Sequence, residues 1–485
     1  VDTDRAIPPL LGRFVLFDPQ MRRFSQVRAL LSAEQVAVDL GEIREGVRRR
    51  LAEATGVEFP TDPFDALIEN RAAPTTWTIA GSQLTERVSR WDKALIREAV
   101  VEQLRARIDA LGGLWARLGR YPFPYRSAFN FRFDLDEPYP DDVIATMDVA
   151  DPLADCSTWF VSTAAHGLGG PVLRELRARG LETQSHGHYH VVYQSYRSNL
   201  ENLQRSHEIL ANQGFEVTGF AAPEGRWNPG LCRAIGELGY RFSSEFQVSR
   251  DDLAHRVWVD GRWSSSWQLP VHPICEGLFL QAGLADPGLI ARYLIEVSRS
   301  KAEACEPAFL YGHPERRLGR FPEVLMELAA AVRDRPLVWR TRLDRFADWW
   351  DWRSRRQWAL IPKTDRQFAA QFEDGDARYP LALEVVRGRH VAVIPVQSPN
   401  QRFRLDDLVF ERWSRRSEVH PAATQRSRPH LREVLRYAID WETVTPLADL
   451  PCVTLSDRVK LGLRRWRDRR WKARRALGER SARGA

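Results

Sequence analysis

The chain has little cysteine, no long apolar run and, outside one tail, no net charge. Five cysteines in 485 residues, Cys156, Cys232, Cys275, Cys305 and Cys452, lie far apart with no C-x-x-C pair. That excludes a disulfide framework and a zinc ribbon, and points to a reducing compartment. No stretch approaches the ~18 apolar residues of a membrane span. The N-terminal LLGRFVLF is short and broken by Arg13, so it does not read as a signal peptide. Low-complexity tracts are absent, and 44% apolar with 28% charged residues is the composition of a folded protein. The formal charge of +7 comes from one place: residues 457–485 hold twelve Lys/Arg against three acids, a net +9, and the rest stands at −2. A near-neutral body does not read as a nucleic-acid binder.

A chain of this length implies two or three domains. Residues 1–120 read as an α-rich N-terminal domain, with apolar periodicity of three to four over roughly 33–54 and 92–118. From about 125 to 350, short apolar strands alternate with helical segments. The strands are expected over 127–134, 157–163, 181–185, 217–223, 240–246, 269–275, 309–313 and 336–341, with a helix over 196–213. Such alternation implies parallel βα units, in an open α/β sheet or a barrel. The segment 381–397 reads as a hairpin inside a small β-rich accessory domain spanning 360–450.

What is present is a concentration of metal-type ligands. FDLDE carries Asp134 and Asp136, and SHGHYH, about 50 residues on, carries His186, His188 and His190. Carboxylate and neutral imidazole suit a zinc-like cation, which makes water a nucleophile near neutral pH. Asp134 and Asp136 are two apart, so on extended backbone they share a face. One could hold a metal while the other takes a proton; a solvated turn before Pro138 is the plainer reading. His186 and His190 are four apart and would share a face on a helical turn, with His188 pointing elsewhere. GFAAPEGRWN (219–228) ends a strand in a tight turn able to aim a backbone N–H into a cleft. LYGHPE places His313 just past a strand, where a proton donor to a leaving group belongs.

In this order the motifs resemble the polysaccharide deacetylases of carbohydrate esterase family 4, over roughly 125–350. The resemblance implies a distorted (β/α) barrel and a metal-dependent hydrolase that removes an N-acyl group, N-acetyl first, from a sugar in a glycan or glycan precursor. It implies Asp134 as catalytic base, Asp136, His186 and His190 as metal ligands, and His313 as general acid. The cation is expected to be Zn²⁺, with Co²⁺ or Mn²⁺ as alternatives. Glu224, Arg226, Trp227 and Glu245 are expected at the substrate or oxyanion side, and Trp159 on a sugar-facing wall. Two departures stand out. Leu135 separates the aspartates, as in a D-x-D subgroup, and Ala221 occupies the place of an Arg that braces the base. Either Arg132 or Arg226 would have to substitute, or the base is tuned differently.

Rival readings remain at this level. They are an amidohydrolase using His186 and His188, a D-x-D glycosyltransferase, and a non-enzymatic glycan-assembly or binding protein with a degenerate fold. If 457–477 is helical, Val459, Leu463, Trp466, Ala473 and Leu477 form one stripe on a basic surface, the pattern of a helix lying on an anionic membrane. The expected location is cytoplasmic, peripheral on the inner membrane face.

Overall fold

The computed structural model describes residues 12–18, 23–27, 40–55, 58–59, 61–167, 170–364, 366–373, 378–412, 424–425 and isolated positions between 455 and 462. At its centre is a nine-stranded sheet: β1 (Ser127–Leu135), β2 (Ser157–Val161), β3 (Thr183–Ser185), β4 (Gly219–Ala221), β5 (Phe242–Ser244), β6 (His255–Val259), β7 (Arg262–Gln268), β8 (Ala308–Gly312) and β9 (Val338–Arg340). The order is β6-β7-β5-β4-β3-β2-β1-β8, with β9 also pairing β1. All pairings are parallel except the β6–β7 hairpin. The connecting helices are α1 (Pro140–Val149), α2 (Pro171–Ala178), α3 (Tyr196–Asn212), α4 (Pro229–Glu237), α5 (Pro287–Glu303) and α6 (Pro322–Arg333), with α7 (Leu343–Arg355) after β9. The first six carry proline at their first helical positions except α3, where the missing N–H costs nothing. Ser195, Asn228 and Asp286 cap α3, α4 and α5 through their side chains.

β1 shows why the sequence folds this way. Phe129, Phe131, Phe133 and Leu135 alternate with Asn130, Arg132 and Asp134, and every one is buried. The apolar face enters the main core, where Phe133 stacks on Trp159 at 4.1 Å. The polar face turns inward. Arg132 on β1 donates to the carbonyl of Ser244 on β5 at 2.7 Å. In a flat sheet strands four places apart lie about 19 Å from each other, well beyond an arginine's reach, so the sheet is strongly curled. The ladder itself is open. Between the segment after β7 and β8, one backbone bond runs from His272 N–H to Phe309 O.

The stretch 1–120, expected as an α-rich domain, is mixed among its described residues. Those residues form helices Leu40–Thr55, Pro63–Ile68 and Lys93–Ala110, but also five strands. One of these, Leu114–Leu118, pairs antiparallel with Ala382–Arg387. The N-terminal segment and the expected C-terminal accessory domain therefore share one six-stranded sheet. The fully buried Arg117 reinforces the junction by pairing with Glu384 at 2.6 Å. The expected hairpin is present as Ala382–Arg387 and His390–Pro395. Residues 269–275 form no strand, and the β6–β7 hairpin was not expected. No helix among the described residues is long and apolar enough to cross a membrane. The stripe over 457–477 lies almost wholly outside the described residues.

Candidate metal centre

Donor atoms of Asp136, His186 and His190 come within 4.8 Å of one another at the C-terminal ends of β1 and β3. Asp136 Oδ1 lies 3.2 Å from His186 Nε2 and 3.0 Å from His190 Nε2. Oδ1 is buried and makes no hydrogen bond of acceptable geometry, although both nitrogens are this close. An orphaned carboxylate oxygen facing two imidazole nitrogens is what a cation between them would satisfy. The tautomer agrees. His186 Nδ1 lies 2.8 Å from the carbonyl of Ala221, which can only accept. Nδ1 therefore carries the proton and Nε2 presents its lone pair to the cluster. Burial pushes the Asp136 carboxyl up. The nearby His190 and His313 charges and the close His186 ring outweigh it and hold Asp136 well below the usual carboxylate range.

The expected helical turn at 186–190 is not there. Residues after Ser185 leave β3 as a loop, with Gly187 at φ +86°. A Cβ at 187 would meet Asn202 Nδ2 at 2.9 Å and Tyr189 O at 3.0 Å, so only glycine fits. Two amides of α3 shape this loop. Asn202 accepts from Tyr189 N–H at 2.8 Å and donates to Tyr189 O and Val191 O. Asn199 accepts from Tyr193 N–H and donates to Tyr193 O. His188 stays outside the cluster: its Nδ1 lies 2.9 Å from Thr163 Oγ1. The H-x-H arrangement of an amidohydrolase is therefore not assembled.

Asp134 is buried and gripped at both oxygens by Arg132, Nε to Oδ1 at 2.8 Å and Nη2 to Oδ2 at 2.5 Å. Arg132 in turn donates to Ser244 O and Ser244 Oγ, and its guanidinium lies over Tyr311 and Phe160. Arg132, not Arg226, takes the brace position beside the expected base. Arg226 instead pairs with Glu224 at 2.8 Å.

His313 follows β8, with Nε2 3.6 Å from Asp136 Oδ2. Its Nδ1 lies 2.7 Å from Glu276 Oε1, which also accepts the His313 backbone N–H at 2.9 Å. Burial and Arg317 push His313 down; Glu276 and Asp136 outweigh them, and the imidazole is held well above its usual range. Gly312 permits this approach, because a Cβ there would sit 2.6 Å from Glu276 Oε2.

Glu276 escaped the sequence reading, and nothing local marks a partner 37 residues from His313. Arg132 did leave a signal: Asn130, Arg132, Asp134 and Asp136 alternate along one strand face. A second buried pair was also missed. Glu315 Oε1 lies 3.2 Å from His166 Nε2 and 3.4 Å from the Glu137 backbone N–H, beside Asp136.

The remaining expected residues divide. Glu224 sits in the left-handed region at φ 54°, ψ 24°, on the turn after β4. Such strain in a non-glycine residue clusters at functional sites. Trp227 is half-buried. Glu245 is fully buried, and burial pushes its carboxyl up to about 7 against Ser243 and Arg132. Trp159 is a core residue stacked on Phe133 and forms no sugar-facing wall.

No protein-family model matches the chain, and no curated protein does. Among solved structures, one from Mycobacterium smegmatis assigned to the polysaccharide deacetylases is 20% identical, covers 48% of this chain and 92% of its own, and has a TM-score of 0.42. A second, from Pseudomonas aeruginosa PAO1 and assigned likewise, is 18% identical over 48% and 93%, TM-score 0.41. An allantoinase is 16% identical over 48% and 93%, TM-score 0.40. At these values the likenesses decide nothing about chemistry, which stands on the residues themselves.

Proposed function

We propose that the chain is a metal-dependent hydrolase that removes an N-acyl group from a sugar. The observation that carries the hydrolase reading is the Asp136–His186–His190 cluster, with its orphaned carboxylate oxygen, flanked by two buried proton-handling groups. These are Asp134 in the grip of Arg132 and His313 on Glu276. The sugar comes from the family resemblance of the motif order.

Asp136, His186 and His190 would hold the cation, Zn²⁺ by donor type with Co²⁺ or Mn²⁺ as alternatives. A cation bound there supplies Lewis-acid polarisation of the acyl oxygen and lowers the pKa of water. Asp134 takes the proton from the attacking water, and Arg132 keeps its carboxylate in one orientation. The turn at Glu224 would offer a backbone N–H to the developing oxyanion; the amides of Gly225 and Arg226 are committed within the turn to Ala222 O and Pro223 O. His313, its Nδ1–H committed to Glu276, delivers a proton from Nε2 to the departing amine. A D-x-D glycosyltransferase would leave the braced His313 without a task. The stretch 457–485 docks on an anionic membrane in this proposal. Full-length protein that floats with anionic liposomes no better than a chain ending at 456 removes that part.

The test is acetate release from N-acetylated sugars by metal-loaded protein, together with elemental analysis of the bound metal. His186→Ala is expected to lose both metal and activity, and His188→Ala to keep the metal. Wild-type protein that binds no Zn²⁺, Co²⁺ or Mn²⁺ would overturn the hydrolase and leave a non-enzymatic binding protein.

A further inference from the structure

Beside the centre just described lies a second set of donors that the reaction does not use as a set. Cys275, Glu276 and His313 each place a donor atom within 4.8 Å of the others, and all three are buried. Glu276 Oε1 is committed to His313, but Oε2 is buried with no hydrogen-bond partner. A buried carboxylate oxygen left unsatisfied is costly, and each such group asks for an explanation. The donor types are sulfur, oxygen and nitrogen. Thiolate with imidazole selects Zn²⁺ or Cd²⁺ over Mg²⁺ and Ca²⁺, which take oxygen donors.

We infer that Cys275, Glu276 and His313 form a second, inhibitory site for a soft divalent cation. Binding releases two protons to solvent, one from the Cys275 thiol and one from His313 Nδ1, as the S–metal and N–metal bonds form. Glu276 exchanges its contact with Nδ1–H for one with the cation. The ring is then fixed through Nδ1 and cannot cycle between its two protonation states. His313 Nε2 is 3.6 Å from Asp136 Oδ2, so the two centres share this one imidazole as their common wall. The inhibition rests on the proposed role of His313; the binding does not.

The experiment uses full-length protein already carrying one equivalent of Zn²⁺, titrated with Cd²⁺. Cadmium content, the thiolate-to-Cd²⁺ absorption in the ultraviolet, and turnover are followed together. A second equivalent is expected, with the absorption of a single thiolate and loss of turnover. Cys275→Ser and Cys275→Ala are expected to keep the first metal and the basal turnover, and to lose the band, the second equivalent and the inhibition. His186→Ala is expected to keep the band. A thiolate band that persists in both Cys275 variants, or no second equivalent at all, overturns the site. A second equivalent that binds through Cys275 without slowing turnover overturns the role of His313 and leaves the site standing.

Discussion

The two walls of the centre are held by opposite means. On the His186–His190 wall the work is spread out: Gly187 supplies the turn, two asparagines of α3 pin the loop at five backbone groups, and Ala221 O fixes the His186 tautomer. On the His313 wall a single carboxylate oxygen, Glu276 Oε1, accepts from both the backbone and the ring. Spread support tolerates the loss of one bond. A single support does not, and removing it takes away the acceptor that holds a proton on His313 Nδ1. On the function proposed above, the first wall would serve a cation, whose ligands need fixed positions, and the second a proton transfer, where tautomer matters most.

The largest effect is expected where the walls meet the chemistry. Asp134→Asn should retain bound metal and lose roughly 10²–10⁴-fold in kcat, the usual weight of a general base. Asp136→Asn should lose the metal itself. Elemental analysis of the two variants separates the aspartates. Metal loss in Asp134→Asn with retention in Asp136→Asn would exchange their roles. Next comes the single support. Glu276→Gln keeps the shape but can donate as well as accept, so it no longer dictates the Nδ1–H tautomer. A fall of about 10²-fold in kcat is expected, with unchanged metal content. An unchanged kcat would show that His313 needs no orienting partner.

The distributed wall should give less. Asn202→Ala leaves Asn199, Gly187 and Ala221 O in place. Metal affinity should drop about tenfold, the lower end for an outer support. Global stability should fall by about 1–3 kcal/mol, the cost of unsatisfied backbone groups. Metal competition with a chelator and thermal denaturation measure the two. A drop as large as that from His186→Ala would mean that the loop has one support after all, and the contrast between the walls would collapse.

The sequence carried the sheet and the donors but not their supports. Apolar strands such as SAFNFRFD, several of them followed by a proline-started helix, are local signals, and seven of the eight expected strands of the central sheet form. β6 and β7 were not expected, although Asp260–Gly261 between two Trp-bearing runs is a hairpin turn signal, and both residues have positive φ. The His186–His190 spacing of four suited a helix, and only the fit of Gly187 against Asn202 makes it a loop. Glu276 and the pairing of Leu114–Leu118 with Ala382–Arg387 have no local trace. The Arg117–Glu384 contact spans 267 residues, and contacts of that range are set by tertiary packing. Fold class and ligand types are local properties; tautomer control and domain boundaries are not.

The smallest effect on turnover is expected at Glu245, fully buried near Ser243 and Arg132. Its folded value of about 7 lies above the usual 4.5. The folded state therefore binds this proton more tightly than the unfolded state. The associated stability is fully present below about pH 4.5 and is lost as pH rises through 7. The shift corresponds to about 3 kcal/mol at most, at 1.36 kcal/mol per pH unit. Glu245→Gln mimics the protonated carboxyl. It should leave kcat unchanged at pH 7 and flatten the decline in stability between pH 5 and pH 8, measured by denaturant unfolding at each pH. If the decline keeps its slope in Glu245→Gln, it arises elsewhere. Glu182, pushed up to about 8 by burial and by Asp344, is then the next carboxyl to replace.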